Sequence, residues 1–159
     1  MSVEYNIHMQ KIKFTRGGYA DLKKEYDGLI LNRVKAVSEL QRAREMGDLS
    51  ENAAYRVARS ALSRIDSRIR RIDKILRSAV VVDPPKDGYI DLGSRVTLEE
   101  DDGQEKTVYL VDGYESDIMR GKISVYSPIG KALRGKRKGD KIIVTTPKGK
   151  VIFTINDVS

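Results

Sequence analysis

Two carboxylates three residues apart, Asp48 and Glu51, stand in the segment Met46-Gly47-Asp48-Leu49-Ser50-Glu51-Asn52. Paired carboxylates offer oxygen ligands to a hard cation such as Mg²⁺, and a cation so held acidifies a bound water toward a usable nucleophile. Two carboxylates are too few to hold Mg²⁺ tightly, so this reading needs further ligands from elsewhere. It describes a half-site delivered into a cavity that already contains metal and substrate. The same spacing also makes a capping box, with Asp48 as N-cap and Glu51 at the third helical position, both complementing the positive end of the helix dipole. Spacing alone leaves both readings open.

Little other chemistry is available. There is no cysteine, which removes disulfides, thiolate zinc sites and cysteine nucleophiles together. The single histidine, His8, argues against a histidine-centred triad or a multi-histidine metal site. Glu99-Glu100-Asp101-Asp102 before Gly103 lacks the alternating ligand spacing of an EF-hand and reads as a solvated hairpin turn. Gly135-Lys136 lacks the upstream glycine and downstream hydroxyl of a phosphate loop. The expectation is an accessory protein rather than a self-contained enzyme.

The elements that must carry the acid pair follow from periodicity. Thr15 is a good N-cap, with Phe14 before it and Tyr19 placed for a hydrophobic staple. Apolar residues then recur at helical spacing through Leu22, Tyr26, Leu29 or Ile30, Val37 and Leu40, and Gly47 is a natural stop. A second run, Tyr55, Ala58, Leu62, Ile65, Ile69, Ile72, Leu76 and Ala79, alternates steps of three and four, the heptad seam of a coiled coil. Two such helices joined by a few residues fold back on one another. Residues 1–79 are therefore expected to form an antiparallel hairpin with its tip at 46–52, too long and thin to make a globular core by itself. Pro84-Pro85 end the helical pattern.

Residues 80–159 then read as a small β-rich domain, with strands expected at Ile90–Leu98, Lys106–Val111, Ile123–Val125, Lys141–Thr146 and Lys150–Ile155. One short helix is marked by Ser127 as N-cap, Pro128 at its first position and Gly135 past its end. The expected fold class is α+β. Net charge is +7, and residues 1–79 hold all of it, with 17 Lys and Arg against 10 Asp and Glu; the second half balances at 13 against 13. A basic hairpin attracts polyanions. No apolar run approaches the roughly 18 to 20 residues a membrane span needs, and Met1–Gln10 has no signal-peptide pattern, so a cytoplasmic location is expected.

Gly47-Asp48-Leu49-Ser50-Glu51-Asn52-Ala53-Ala54-Tyr55 closely resembles the tip motif of bacterial transcript cleavage factors of the GreA/GreB family. Ile123-Ser124-Val125-Tyr126-Ser127-Pro128-Ile129-Gly130-Lys131-Ala132-Leu133, followed by Gly139-Asp140 and Thr146-Pro147-Lys148-Gly149, resembles the second half of the same family. The resemblance extends from about Phe14 to Val158. It implies a coiled-coil hairpin that enters the secondary channel of a backtracked RNA polymerase, and an FKBP-like C-terminal domain that docks on the channel rim.

By that resemblance Asp48 and Glu51 help bind a second catalytic Mg²⁺, shared with the polymerase and not held alone, and orient the water that hydrolyses nascent RNA near its 3′ end. Arg44, Asn52, Arg56 and Arg59 are the expected contacts to the transcript, and the Ser127, Pro128 and Ile129 region the expected docking contact. Binding to DNA is expected as a general property of such a transcription factor. Two other readings stand beside this one: a channel-plugging regulator that inhibits transcription, and a peptidyl-prolyl isomerase or chaperone based on the C-terminal half. Retention of both acids favours cleavage over inhibition. The scarcity of aromatic residues in the second half disfavours a proline pocket.

Overall fold

The computed structural model describes residues 11–46, 52–147 and 149–159. These divide into two compact units, one of Tyr19–Ala79 and one of Lys11–Gly18 with Val80–Ser159. Among the described residues no helix is long and apolar enough to cross a membrane.

The first unit is a helical hairpin. Helix α1 spans Arg16–Glu45 and helix α2 spans Ala53–Ser78, about 45 and 39 Å at ~1.5 Å per residue. The arms run in opposite senses, since Arg33 pairs with Asp66 while the earlier residue Glu25 pairs with the later Arg68. Every position of the seam expected on α2 is buried or half-buried, and Ile75 joins Ile72 as a buried core residue.

On α1 the expected positions Tyr19, Leu22, Tyr26, Leu29, Val37 and Leu40 are half-buried, and Ile30 is exposed. The buried members of this seam are Ala36 and Ala43, which continue the three-and-four rhythm of Tyr19, Leu22, Tyr26 and Leu29. Leu31 and Val34 are instead exposed. The Arg68 guanidinium lies 2.7 and 2.9 Å from the two carboxylate oxygens of Glu25, and this hydrogen-bonded ion pair raises the Arg68 pKa. Both partners are substantially exposed, so the pair contributes under about 1 kcal/mol. The apolar seam therefore dominates the cohesion of the hairpin.

The second unit is built on a five-stranded mixed sheet: β3 (Arg95–Glu100), β4 (Glu105–Val111), β5 (Lys122–Ser124), β6 (Lys141–Thr146) and β7 (Gly149–Val158), ordered β5-β4-β3-β7-β6. Neighbours are antiparallel except β4 and β5, which run parallel with Leu110 opposite Ile123. A short helix, α3 (Pro128–Leu133), packs by β6. One face of the sheet supplies Val96, Leu98, Val108, Leu110, Ile142, Val144, Phe153 and Ile155 to a core completed by Ile90, Leu92, Val125 and Leu133. Ile90–Ser94, expected as strand, turns before β3 begins: Ile90 exchanges backbone hydrogen bonds with Gly135 and Lys136 instead of with a strand.

Two three-residue strands missed from sequence, β1 (Ile12–Phe14) and β2 (Ala79–Val81), pair as a separate sheet. This pairing groups Lys11–Gly18 with the second unit, where the sequence expectation assigned residues 1–79 to the hairpin. Phe14 is fully buried and its ring stacks on Tyr114 at 6.3 Å between centroids. Thr15 caps α1 as expected, its Oγ1 accepting from the Gly18 amide at 3.0 Å.

The Glu115 carboxylate accepts from the Thr15 amide at 2.7 Å and from its hydroxyl at 2.6 Å, and is itself only 9% exposed. A carboxylate at a helix N-terminus satisfies an otherwise unpaired donor and complements the dipole. Hydrogen bonds to a charged group contribute about 1.5 to 3 kcal/mol. Glu115→Ala is therefore expected to destabilise the second unit by about 2 kcal/mol in urea denaturation, and Glu115→Gln by less.

Candidate functional site

The candidate site has two parts, one in each unit, and each is described separately. The first is the hairpin turn between α1 and α2. Asp48 and Glu51 lie outside the described residues, whereas the residues that close the turn are described. The N-cap of α2 is Asn52, its Oδ1 accepting from the Tyr55 amide at 3.0 Å. The capping box expected from Asp48 and Glu51 falls outside the described residues; α2 as described starts at Ala53, and Asn52 caps it.

The other end of the same side chain reaches across the turn. Asn52 Nδ2 donates to the backbone oxygen of Ala43 at 2.6 Å. That oxygen belongs to the last turn of α1, where carbonyls lack the regular helical donor, and its other donor is the Met46 amide at 3.4 Å. One amide side chain thus caps the start of α2 and ties it to the end of α1. Asn52, expected to contact RNA, has both polar atoms engaged within the hairpin. Asn52→Ala should lower hairpin stability by about 1 kcal/mol for the cap, with a further loss because the Ala43 carbonyl keeps only the Met46 amide, at 3.4 Å. A thermal melt followed by helical ellipticity measures it.

Around this closure stand the expected basic contacts. Arg44 lies in the last turn of α1, Arg56 in the first turn of α2 and Arg59 one turn on; all three are exposed and none makes an ion pair among the described residues. Three other hairpin arginines are neutralised locally, Arg33 by Asp66, Arg68 by Glu25 and Arg77 by Asp73. Arg70, Arg71 and Lys74, further along α2, are exposed and also make no ion pair among the described residues, so unpaired positive charge extends along the hairpin as well as at its turn. A shallow groove of about 330 Å³ runs down the outer side of α2 from there, lined by Ala53, Arg56, Val57, Ser60 and Arg64. Sequence periodicity assigned no role to Val57 or Ser60, since both lie off the seam.

The second part is the start of α3. Ser127 caps it, Oγ accepting from the Gly130 amide at 3.1 Å and donating to the Ser124 carbonyl at 2.7 Å. Pro128 is exposed, while Ile129 turns partly into the core. Of the three expected docking residues, only Pro128 is therefore fully presented. Beside them Tyr126 is 62% exposed, and its hydroxyl donates to Asp112 at 3.3 Å. The negative charge of Asp112, with burial and that hydrogen bond, pushes the Tyr126 hydroxyl above its ordinary pKa, so it remains a neutral donor. Tyr126 stands beside the expected docking residues without having been singled out from the sequence, because an isolated tyrosine carries no spacing signal. Among the described residues, no group of three or more His, Asp or Glu side chains is arranged to hold a metal ion.

Such a construction, a two-helix hairpin with a tied turn and a second unit built on a mixed sheet, matches two known sequence patterns end to end. "Transcription elongation factor, N-terminal" matches residues 12–81, and "Transcription elongation factor, GreA/GreB, C-term" matches residues 85–159. The chain belongs to the GreA/GreB family of transcription elongation factors. It is 42% identical over 150 residues to transcription elongation factor GreA of Paracoccus denitrificans (strain Pd 1222), spanning 92% of this chain and 96% of that protein. It is 41% identical over 152 residues to GreA of Rickettsia canadensis (strain McKiel), spanning 93% and 94%. Among solved structures, GreA factor homolog 1 (Gfh1) of Thermus thermophilus is similar at 32% identity over 94% of this chain and 99% of that one, with a TM-score of 0.45.

Proposed function

We propose that this chain is an accessory factor of bacterial RNA polymerase that stimulates the polymerase's own cleavage of backtracked nascent RNA. In this reading the hairpin enters the secondary channel and presents Asp48 and Glu51 to the active site. The observation that carries it is the assignment of the α2 cap to Asn52. The capping box was the competing explanation of the acid pair, and that duty is met by another residue.

Asp48 and Glu51 fit a shared ion by the chemistry of their donors: two hard carboxylates, enough for part of a Mg²⁺ shell and short of a whole one. When bound there, Mg²⁺ neutralises charge on the scissile phosphate and acidifies the attacking water. The chain's own residues hold and orient. Asn52 fixes the spacing of the two helix ends from which the acids are carried. Arg44, Arg56 and Arg59 meet RNA phosphates, which positions the transcript without reading its sequence. Asn52 serves as a positioning residue in this scheme, and Pro128 with Tyr126 offers the docking contact of the second unit.

The test is RNA release from a stalled, backtracked complex by Asp48→Ala/Glu51→Ala against the parent chain. Cleavage that persists undiminished rejects the reading. Inhibition of nucleotide addition without cleavage by the parent chain rejects it in favour of a channel-plugging regulator.

A further inference from the structure

Residues 80–159 of the second unit balance in charge, yet that charge is unevenly placed. Residues 131–141 hold Lys131, Arg134, Lys136, Arg137, Lys138 and Lys141 against Asp140 alone. All six cations are exposed. Arg134 is paired with Asp91 at 2.8 Å, and Lys138 lies 3.7 Å from Asp157, both partners well solvated. The one local acid, Asp140, accepts from the Arg137 amide at 3.0 Å and makes no ion pair among the described residues, so the segment keeps a net positive charge. Lys131, Lys136, Arg137 and Lys141 have no ion-pair partner among the described residues.

The backbone that carries these cations is held in place. Ile90 accepts from the Gly135 amide at 2.7 Å and donates to the Lys136 carbonyl at 2.8 Å. Ile155 accepts from the Gly139 amide at 2.8 Å and donates to the Asp140 carbonyl at 2.9 Å. Ile90 and Ile155 are both fully buried. Gly135 and Gly139 sit at φ +77° and +89°, left-handed conformations that let the chain reverse between these anchors. Four uncompensated charges therefore extend from a frame tied to the core on both sides.

The composition of the segment selects the partner. Protein interfaces are depleted in lysine and centred on aromatic, Met or other apolar anchors; between Tyr126 and Ile143 no large apolar side chain is exposed. Single-stranded nucleic acid is gripped by stacking its bases on aromatic rings, and residues 127–142 contain none. What remains is a set of point charges suited to phosphate oxygens. We propose that residues 131–141 form a sequence-independent contact surface for the phosphate backbone of a nucleic-acid duplex, separate from the hairpin turn.

The test uses the full chain and its variant Lys131→Gln/Lys136→Gln/Arg137→Gln/Lys141→Gln. Affinity for a 20-base-pair DNA duplex and an RNA duplex of the same sequence is read by fluorescence anisotropy over a salt series. A charge-matched control carries Lys23→Gln/Lys24→Gln/Lys35→Gln/Lys74→Gln, at exposed positions of the hairpin. With ~0.9 of slope in log affinity against log salt per phosphate contact, the first variant should lose about 3 to 4 units of slope on DNA. It should also bind at least about tenfold more weakly at low salt, while the control loses less than about one unit. Stronger binding to one duplex identifies which backbone the surface serves. An unchanged slope, or equal losses in the two variants, overturns the proposal. Loss of binding to polyglutamate with duplex binding intact overturns it in favour of an acidic protein partner. Circular dichroism of both variants verifies folding, since the substituted side chains are exposed.

Discussion

With both tip acids replaced, Asp48→Ala/Glu51→Ala, RNA cleavage by a stalled polymerase is expected to fall by roughly 10²- to 10³-fold, the range for losing groups that stabilise developing charge in a water-poor site. The hairpin should unfold at its original midpoint, within about 0.5 kcal/mol. That second half of the outcome is what gives the experiment its force. If the two acids served as a capping box, their removal would cost about 0.5 to 2 kcal/mol and a fall in cleavage would have a trivial cause. Because Asn52 caps α2 and ties it to Ala43, stability and cleavage should separate cleanly. Asn52→Ala is the reciprocal case, with lower stability and a partial loss of cleavage that follows the loosened turn. A double-alanine variant that both melts early and cleaves poorly would return the acids to a structural role.

The largest stability effect is expected at Gly130. A Cβ placed there would overlap the backbone carbonyl oxygen of Ser124 and crowd Val125 Cα, so neither neighbour can turn aside as a side chain would. The close approach exists because Ser127 Oγ bridges the Ser124 carbonyl and the Gly130 amide, pressing the first turn of α3 onto the end of β5. Gly130→Ala must push α3 outward and with it Leu133, which is fully buried in the core. Overpacking of this kind costs about 3 kcal/mol, or roughly 15 °C in the melting temperature of a unit this size. Lys131→Ala, one residue away and exposed, should stay within about 0.5 kcal/mol. A melting temperature for Gly130→Ala within 3 °C or so of the parent, by calorimetry, would show that α3 has room to move.

The α2 seam was legible because large aliphatic residues occupy five successive seam positions from Leu62 to Leu76, and the contrast with its arginines is sharp. The α1 seam was harder to see because Ala36 and Ala43 are its most buried members, and alanine carries little signal in a hydrophobic pattern. Exposed Leu31 and Val34 further blur that helix. The start of α2 was misplaced for a related reason. Asp48, Ser50 and Asn52 are all competent caps, and only the fold of the turn decides among them.

In the second unit, strand positions followed from alternation, but pairing did not. The parallel β4–β5 contact depends on a connection through Gly113–Arg120 that no local rule specifies. Ile90 and Leu92 alternate like a strand and reach the core, although their backbone serves a loop. Strands β1 and β2, three residues each, are too short for any period to register.

The tether between Thr15 and Glu115 spans 100 positions of sequence. A ribosome releases the amino end first, so the opening turn of α1 leaves the exit tunnel long before the carboxylate that secures it. Until then the Thr15 amide has only water as a partner, and closing so wide a loop carries an entropic toll that grows with its span. The opening turn of α1 therefore sets only after the stretch of chain carrying Glu115 has been released.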